Sequence, residues 1–106
     1  MYIFVRTDLS ASQCAVQSCH AAIEAANHFD FDSLEDHPYV VILSARDERR
    51  LHRVRKYLVG EGIKHVHFYE SDLDDQLTAL ATEPIQGDRR QLFRKYQLLK
   101  NGNGGE

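Results

Sequence analysis

The sequence predicts an α/β fold of three layers, α/β/α, around a four-stranded mixed sheet with helices on both faces. Three observations carry this. Four short apolar segments read as strands, amphipathic stretches of helical length separate the first three of them, and the resulting order is β-α-β-α-β-β-α. Long helices between apolar strands imply right-handed crossovers and a sheet covered on both sides. A chain of 106 residues makes one domain. That size buries roughly 60–70% of the surface exposed by the unfolded chain, enough for one core without disulfide or metal staples. No internal repeat or linker interrupts it.

The first strand spans Tyr2 to Asp8, a near-continuous apolar run of aromatic and β-branched residues. Ser10 or Ser12 caps the next helix, which runs to about His28. Its expected core stripe is Ala15, Val16, Cys19, Ala22, Ile23 and Ala26, at spacings that fit one helical face. Phe29 to Pro38 is a loop, rich in the turn formers Asp30, Asp32, Ser33 and Pro38. Tyr39 to Ala45 is the second strand. Ser44 followed by Asp47 resembles a capping box for the second helix, which runs to about Val59 with Leu51, Val54, Tyr57 and Leu58 inward. Gly60 and Gly62 stop it. Ile63 to Tyr69 is the third strand and Leu77 to Thr82 the fourth. Asp88 to Tyr96 makes a short last helix. The domain occupies residues 1–99, and 100–106, ending Asn-Gly-Asn-Gly-Gly-Glu, is a disordered tail.

Apolar residues make up 42% and charged residues 27%, ordinary globular usage. The net charge of −3 does not mark a nucleic-acid binder, so any such contact must come from a local basic patch. The opening apolar run is too short for a signal peptide or a membrane span, which predicts a cytoplasmic protein with no membrane partner. Cys14 and Cys19, the only cysteines, fall about 140° apart around a helix axis at about 100° per residue. They neither pair there nor make a zinc site, and are expected as buried reduced thiols.

Three stretches hold residues suited to chemistry. Asp8 closes a strand near the carboxyl edge of the sheet, where open α/β folds place ligands. Gln13, Gln17, His20 and Glu24 form a polar stripe on the next helix, and a histidine near a carboxylate suits a general base. Any amphipathic helix also carries such a stripe simply as its solvent face. Residues 46–64 hold seven basic residues against three acidic ones, a local excess of +4. Arg49, Arg53 and Lys56 share one face there, suited to phosphates or to solvent alone. The acidic run from Glu70 through Asp72, Asp74 and Asp75 lacks the glycine and distal glutamate of a calcium loop. It is a solvated turn, or it lends one acid to a site. His65 and His67 alternate on a strand without a third ligand, so no metal is expected.

Val5-Arg-Thr-Asp8-Leu followed by Ala15-Val-Gln17-Ser-Cys-His20-Ala-Ala22 resembles the first strand and helix of type II (archaeal and eukaryotic-type) peptidyl-tRNA hydrolases. The later element order, with Leu-Thr78-Ala-Leu80 leading to Glu83-Pro84, extends the resemblance over about residues 1–99. It implies the four-stranded mixed sheet, a homodimer, and cleavage of the ester between a peptide and the terminal ribose of tRNA. Asp8, Gln17 and His20 fall at matched positions, Thr78 matches a threonine opening the last strand, and Asp72 is the candidate acid of the loop before it. Three features depart from the family. Its Lys-Gly-Lys-like turn is here Ser10-Ala-Ser-Gln-Cys14, without lysine. Its acidic loop continues with glycine and threonine, here Asp72-Leu-Asp74-Asp75. Its Gly-x-Gly-Pro is here Ala81-Thr-Glu-Pro84.

The implied reaction needs neither metal nor cofactor. His20, oriented by Asp8 or Asp72, would activate water, and Thr78, Gln17 or a helix N-terminal amide near Ser12 would stabilise the oxyanion. Arg6, Gln13, Gln17 and the Arg49/Arg53/Lys56 face would bind the tRNA substrate. The alternative is a non-catalytic module on the same fold that binds a tRNA end or a protein.

Overall fold

The computed structural model describes residues 1–34 and 39–100. Its elements are β1 (Tyr2–Arg6), α1 (Ala11–His28), β2 (Val41–Ala45), α2 (Glu48–Gly60), β3 (His65–Glu70) and β4 (Gln76–Thr82). A short 3-10 turn at Ser71–Leu73 joins β3 to β4, and a 3-10 helix at Gly87–Phe93 comes after β4. The strands form one sheet in the order β2-β1-β4-β3. β1 runs parallel to β2 and antiparallel to β4, and β3 is antiparallel to β4. This is the mixed α/β sheet that the sequence predicts. The expected tail lies outside the described residues apart from Lys100, as does the Pro38 end of the expected loop.

The alternation of side chains along a strand divides the core in two. Phe4 points to the side of α2, against Leu43, Leu51, Val54, Leu58, Leu80 and Phe93. Ile3 and Val5 point to the side of α1, against Cys14, Ala21, Ala25, Ala79 and Ala81. On the α2 side the 3-10 helix adds aromatic packing. Tyr2 stacks on Phe93 at 3.9 Å between centroids, and Tyr96 meets Phe4 edge-on at 4.9 Å. The expected last α-helix is therefore a 3-10 helix that ends early. Beyond it the chain extends along the outer edge of β2, where Ser44 N donates to Gln97 O and Leu99 N to Ile42 O. That segment covers an edge strand which would otherwise be open.

Ser10 caps α1 through a capping box with Gln13. The helix presents to the sheet Cys14, Gln17, Ser18, Ala21 and Ala25, not the stripe expected from apolarity. Val16 and Ile23 are 50% and 59% exposed, and Ala15, Cys19 and Ala26 also face solvent. The reason is steric: α1 rests on alanines of β4, and small residues on both surfaces let helix and sheet approach closely. The same rotation explains the cysteines. Cys14 is buried as expected, whereas Cys19 is exposed.

The start of α2 also differs from expectation. Asp47, not Ser44, is its N-cap, accepting from Arg50 N at 2.9 Å. Ser44 lies within β2. Leu51, Val54 and Leu58 form the buried face as expected, with Tyr57 half-buried. The helix closes at Gly62, whose φ of +71° favours a residue without a Cβ.

The pairing of β3 with β4 carries one irregularity. Along β3 the partner of Phe68 is Ala79, but the partner of Tyr69 is Leu77. Thr78 is thus an extra residue on β4, a β-bulge. Leu77 and Leu80 keep to the α2 side, and Ala79 and Ala81 to the α1 side.

The two candidate caps of α2 are separable by urea denaturation. Asp47→Ala is expected to cost about 1 kcal/mol of unfolding free energy, the usual value of an N-cap, and Ser44→Ala less than half of that. The reverse order would restore Ser44 as the capping residue.

Candidate active site

The carboxyl end of β1 is closed by a buried cation. Arg6 is only 7% exposed, so its guanidinium requires partners. Nε and Nη2 donate to the two Asp8 carboxylate oxygens at 2.9 and 2.8 Å, and Nη1 donates to Gln76 Oε1 at 2.7 Å. The bidentate bond from Arg6 lowers the Asp8 pKa below the ordinary carboxylate value. From the sequence, Arg6 is expected to hold a tRNA phosphate and Asp8 or Asp72 to orient His20. In the fold each is committed to the other, because a buried guanidinium two residues from a carboxylate finds it before any ligand does.

On the α1 side, the bulge turns the Thr78 hydroxyl under the helix. Thr78 is fully buried and donates to Gln17 Oε1 at 2.6 Å, with Phe68 O a further 3.3 Å contact. The Gln17 side chain, itself buried, donates from Nε2 to Glu70 Oε1 at 2.7 Å. Glu70 Oε2 accepts from Asp72 N. The bond from Gln17, then the one from the Asp72 backbone, depresses the Glu70 pKa. A directional relay thus runs from the bulge through the helix to the end of β3.

His20 lies one turn further along α1. Its ring stacks on Phe68, 4.5 Å between centroids and 5° from parallel. Neither ring nitrogen has a hydrogen-bond partner among the described residues. Asp72 stands on the rim of a cleft of about 300 Å³, lined also by Ser12, Gln13, Val16, Gln17, Glu70 and Leu73. Gln13 is partly consumed by the helix cap.

The structure therefore joins Thr78 to Gln17 and sets Gln17 and Asp72 on one cleft, whose lining does not include His20, stacked on Phe68 one turn away. It does not join Asp8 to His20, and it leaves Arg49, Arg53 and Lys56 exposed on α2. Glu70 and Gln76 escape the sequence reading as individual site residues. For Glu70 a signal exists, since it opens the acidic run at a strand end. Nothing local marks Gln76.

These features define a small α/β domain with a cleft where its first helix meets the β3–β4 turn. The peptidyl-tRNA hydrolase PTH2 family model matches residues 1–99, and the chain belongs to that family. Membership supports a peptidyl-tRNA hydrolase-like function in general, with peptidyl-tRNA as the substrate class. No curated protein matches the chain significantly. Among the described residues no helix is long and apolar enough to cross a membrane.

Thr78→Val keeps the shape of the bulge and removes the donor to Gln17. The expected loss is about 1–3 kcal/mol, the cost of leaving a buried acceptor unpaired, measured by urea unfolding. A neutral result would show that Gln17 is not held by this bond. Asp8 gives a pH signature. Its folded pKa is depressed below the ordinary 3.8, so its stabilisation is fully present above that value and is lost as the pH falls through the folded value. Asp8→Asn is expected to reduce stability at neutral pH and to flatten the acid limb of a melting-temperature profile. An acid limb as steep as that of the unsubstituted protein would refute the ion pair as its source.

Proposed function

We propose that the protein hydrolyses the ester linking a peptide to the terminal ribose of tRNA, at the cleft between α1 and the β3–β4 turn. The observation that carries this reading is the Thr78–Gln17–Glu70 relay beside His20, in a chain whose family membership already points to that substrate. A water molecule near His20 would give its proton to a free imidazole nitrogen as its oxygen attacks the ester carbonyl. The C–O bond to the ribose then breaks and the proton passes to the ribose oxygen. The products are tRNA with a free terminal hydroxyl and a peptide carboxylic acid, which loses the second proton of the water to solvent and leaves as the carboxylate.

Glu70, held ionised by Gln17, supplies the counter-charge for the imidazolium formed on the way. Asp72 and Gln13 line the cleft mouth, where they would contact the terminal adenosine or the peptide. Thr78 acts through Gln17 and is a positioning residue. Arg6 and Asp8 hold the strand end that shapes the cleft. The exposed cations of α2, Arg49, Arg53 and Lys56, would attract tRNA at long range. In this reading the protein works in the cytoplasm as a homodimer.

A non-catalytic binding module is the second reading. It is favoured by one observation: Asp8 is engaged by Arg6 and does not orient His20. Labelled peptidyl-tRNA incubated with the protein separates the two. His20→Ala is expected to lower the hydrolysis rate by about 100-fold or more, the usual contribution of a positioned base, with the melting temperature nearly unchanged. Full activity in that variant would remove His20 from the reaction. Binding without release by the unsubstituted protein would favour the module.

A further inference from the structure

A second cleft, of about 450 Å³, opens at the carboxyl ends of β1 and β2 on the α2 side of the sheet. Its lining includes Thr7, Ser44, Arg46, Arg50, Lys95 and Tyr96. The two parallel strand ends form its floor, tied by Thr7 N donating to Ala45 O at 2.8 Å. The segment after the 3-10 helix forms its outer wall, tied by Ser44 N donating to Gln97 O at 2.9 Å. The volume falls within the range of small-molecule and phosphate sites, roughly 300–1,000 Å³.

The charges in this cleft come from three parts of the chain: Arg46 from the turn after β2, Arg50 from the first turn of α2, and Lys95 from the outer wall. The side chains of Arg46 and Arg50 make no hydrogen bond or ion pair with any described residue. Lys95 Nζ sits 3.5 Å from the Tyr57 ring centroid and 5.4 Å from that of Tyr96. These are cation–π contacts, which fix an ammonium without neutralising it. Asp47, the acid beside them in sequence, directs its carboxylate at the Arg50 backbone as the helix cap. Three cations thus share one concavity without a paired counter-charge, in a chain of net charge −3. A concavity lined by one sign of charge focuses its field on an incoming anion.

We propose that this cleft binds a backbone phosphodiester of the tRNA acceptor arm, a role that rests on the peptidyl-tRNA hydrolase reading. The placement fits that task. Thr7 lines the basic cleft and Ser12 and Gln13 line the catalytic one, so the short turn between β1 and α1 divides two clefts at the same end of the sheet. An RNA strand crossing that turn places its terminal ester on the α1 side and an upstream phosphate on the α2 side. Phosphate contacts of this kind set register and orientation without reading sequence.

The test uses deacylated tRNA, which carries no ester, so that binding is read separately from turnover. Affinity is measured against salt for the unsubstituted protein and for the double variant Arg46→Gln/Arg50→Gln. The control double variant, Lys64→Gln/Arg89→Gln, removes the same charge at the opposite end of the sheet. The cleft variant is expected to bind at least tenfold more weakly, with the slope of log K against log salt shallower by about 1–2, since each phosphate left unneutralised removes about 0.7–0.9 from it. The control is expected to change affinity less than twofold. Lys95→Gln, at a third position in the cleft, should repeat the loss in smaller measure.

Unchanged affinity and slope in the cleft variant would overturn the proposal, as would an equal loss in the control. Inorganic phosphate that binds the cleft while the cleft substitutions leave tRNA affinity unchanged would also overturn it, assigning the cleft to a free phosphate instead. The two readings fail separately. A protein that cleaves peptidyl-tRNA while its cleft variant binds normally loses only the phosphate site. A protein that binds tRNA through the cleft and never cleaves the ester loses only the hydrolase reading.

Discussion

The functional end of this molecule depends on one extra residue in its central antiparallel strand. Without a bulge, strict alternation would place Leu77 and Ala79 of β4 on the same face. The bulge at Thr78 breaks that register. Leu77 stays with the α2 core, and Thr78 and Ala79 both serve the α1 side. Two requirements are met at once. Alanines remain beneath α1, so the helix packs close, and a hydroxyl is delivered to the one amide side chain that the helix buries. A buried glutamine lacking that donor would carry an unpaired acceptor in a low-dielectric layer. Among the described residues, no buried side-chain polar atom lacks a partner.

Much of the architecture is legible in the sequence because it arises from periodicity. The apolar runs of β1, β2 and β4 announce a covered sheet, and Leu51, Val54 and Leu58 identify the inner face of α2. The face of α1 is not legible in the same way. There hydrophobicity and burial part company: Val16 and Ile23 are more apolar than Ser18, Ala21 and Ala25, yet packing on an alanine-lined strand selects for size. Ser44–Asp47 resembles a capping box, but Ser44 is paired with Val5 inside β2, and Asp47 alone caps the helix. In the site, Gln17, His20 and Thr78 emerge from the family resemblance. Their joining through Glu70 spans 53 residues from Gln17 and rests on a bulge hidden in Gln-Leu-Thr-Ala-Leu-Ala-Thr, a stretch that reads locally as an ordinary strand.

The net charge conceals a division of sign at one end of the sheet. On the α1 side the cleft carries Glu70 and Asp72, and on the α2 side Arg46, Arg50 and Lys95. The ion pair of Arg6 and Asp8 sits between them, at the strand end that separates the two. Its first role is structural, since an unpaired buried guanidinium would be costly. It also ties Asp8, in the dividing turn, back to the strand end between clefts of opposite sign. A mean charge near zero or below it is then compatible with nucleic-acid recognition, because screening over about 8–10 Å makes the local arrangement the relevant quantity.

Catalytic strength in the proposed hydrolysis turns on whether Glu70 stays ionised. A carboxylate at the end of an edge strand would ordinarily meet solvent and pivot freely. Here Gln17 directs an amide N–H onto one oxygen and the Asp72 backbone directs another onto the second. Both bonds favour the anion, and they fix its position at the end of β3. The amide of Gln17 is oriented in turn by the hydroxyl of Thr78, which fixes which end of the side chain faces outward. A buried threonine thereby orients the amide that holds the Glu70 carboxylate. In the proposed reaction, removing that hydroxyl would act through the orientation of Gln17, while the proposed phosphate cleft on the other side of the strand end would be left intact.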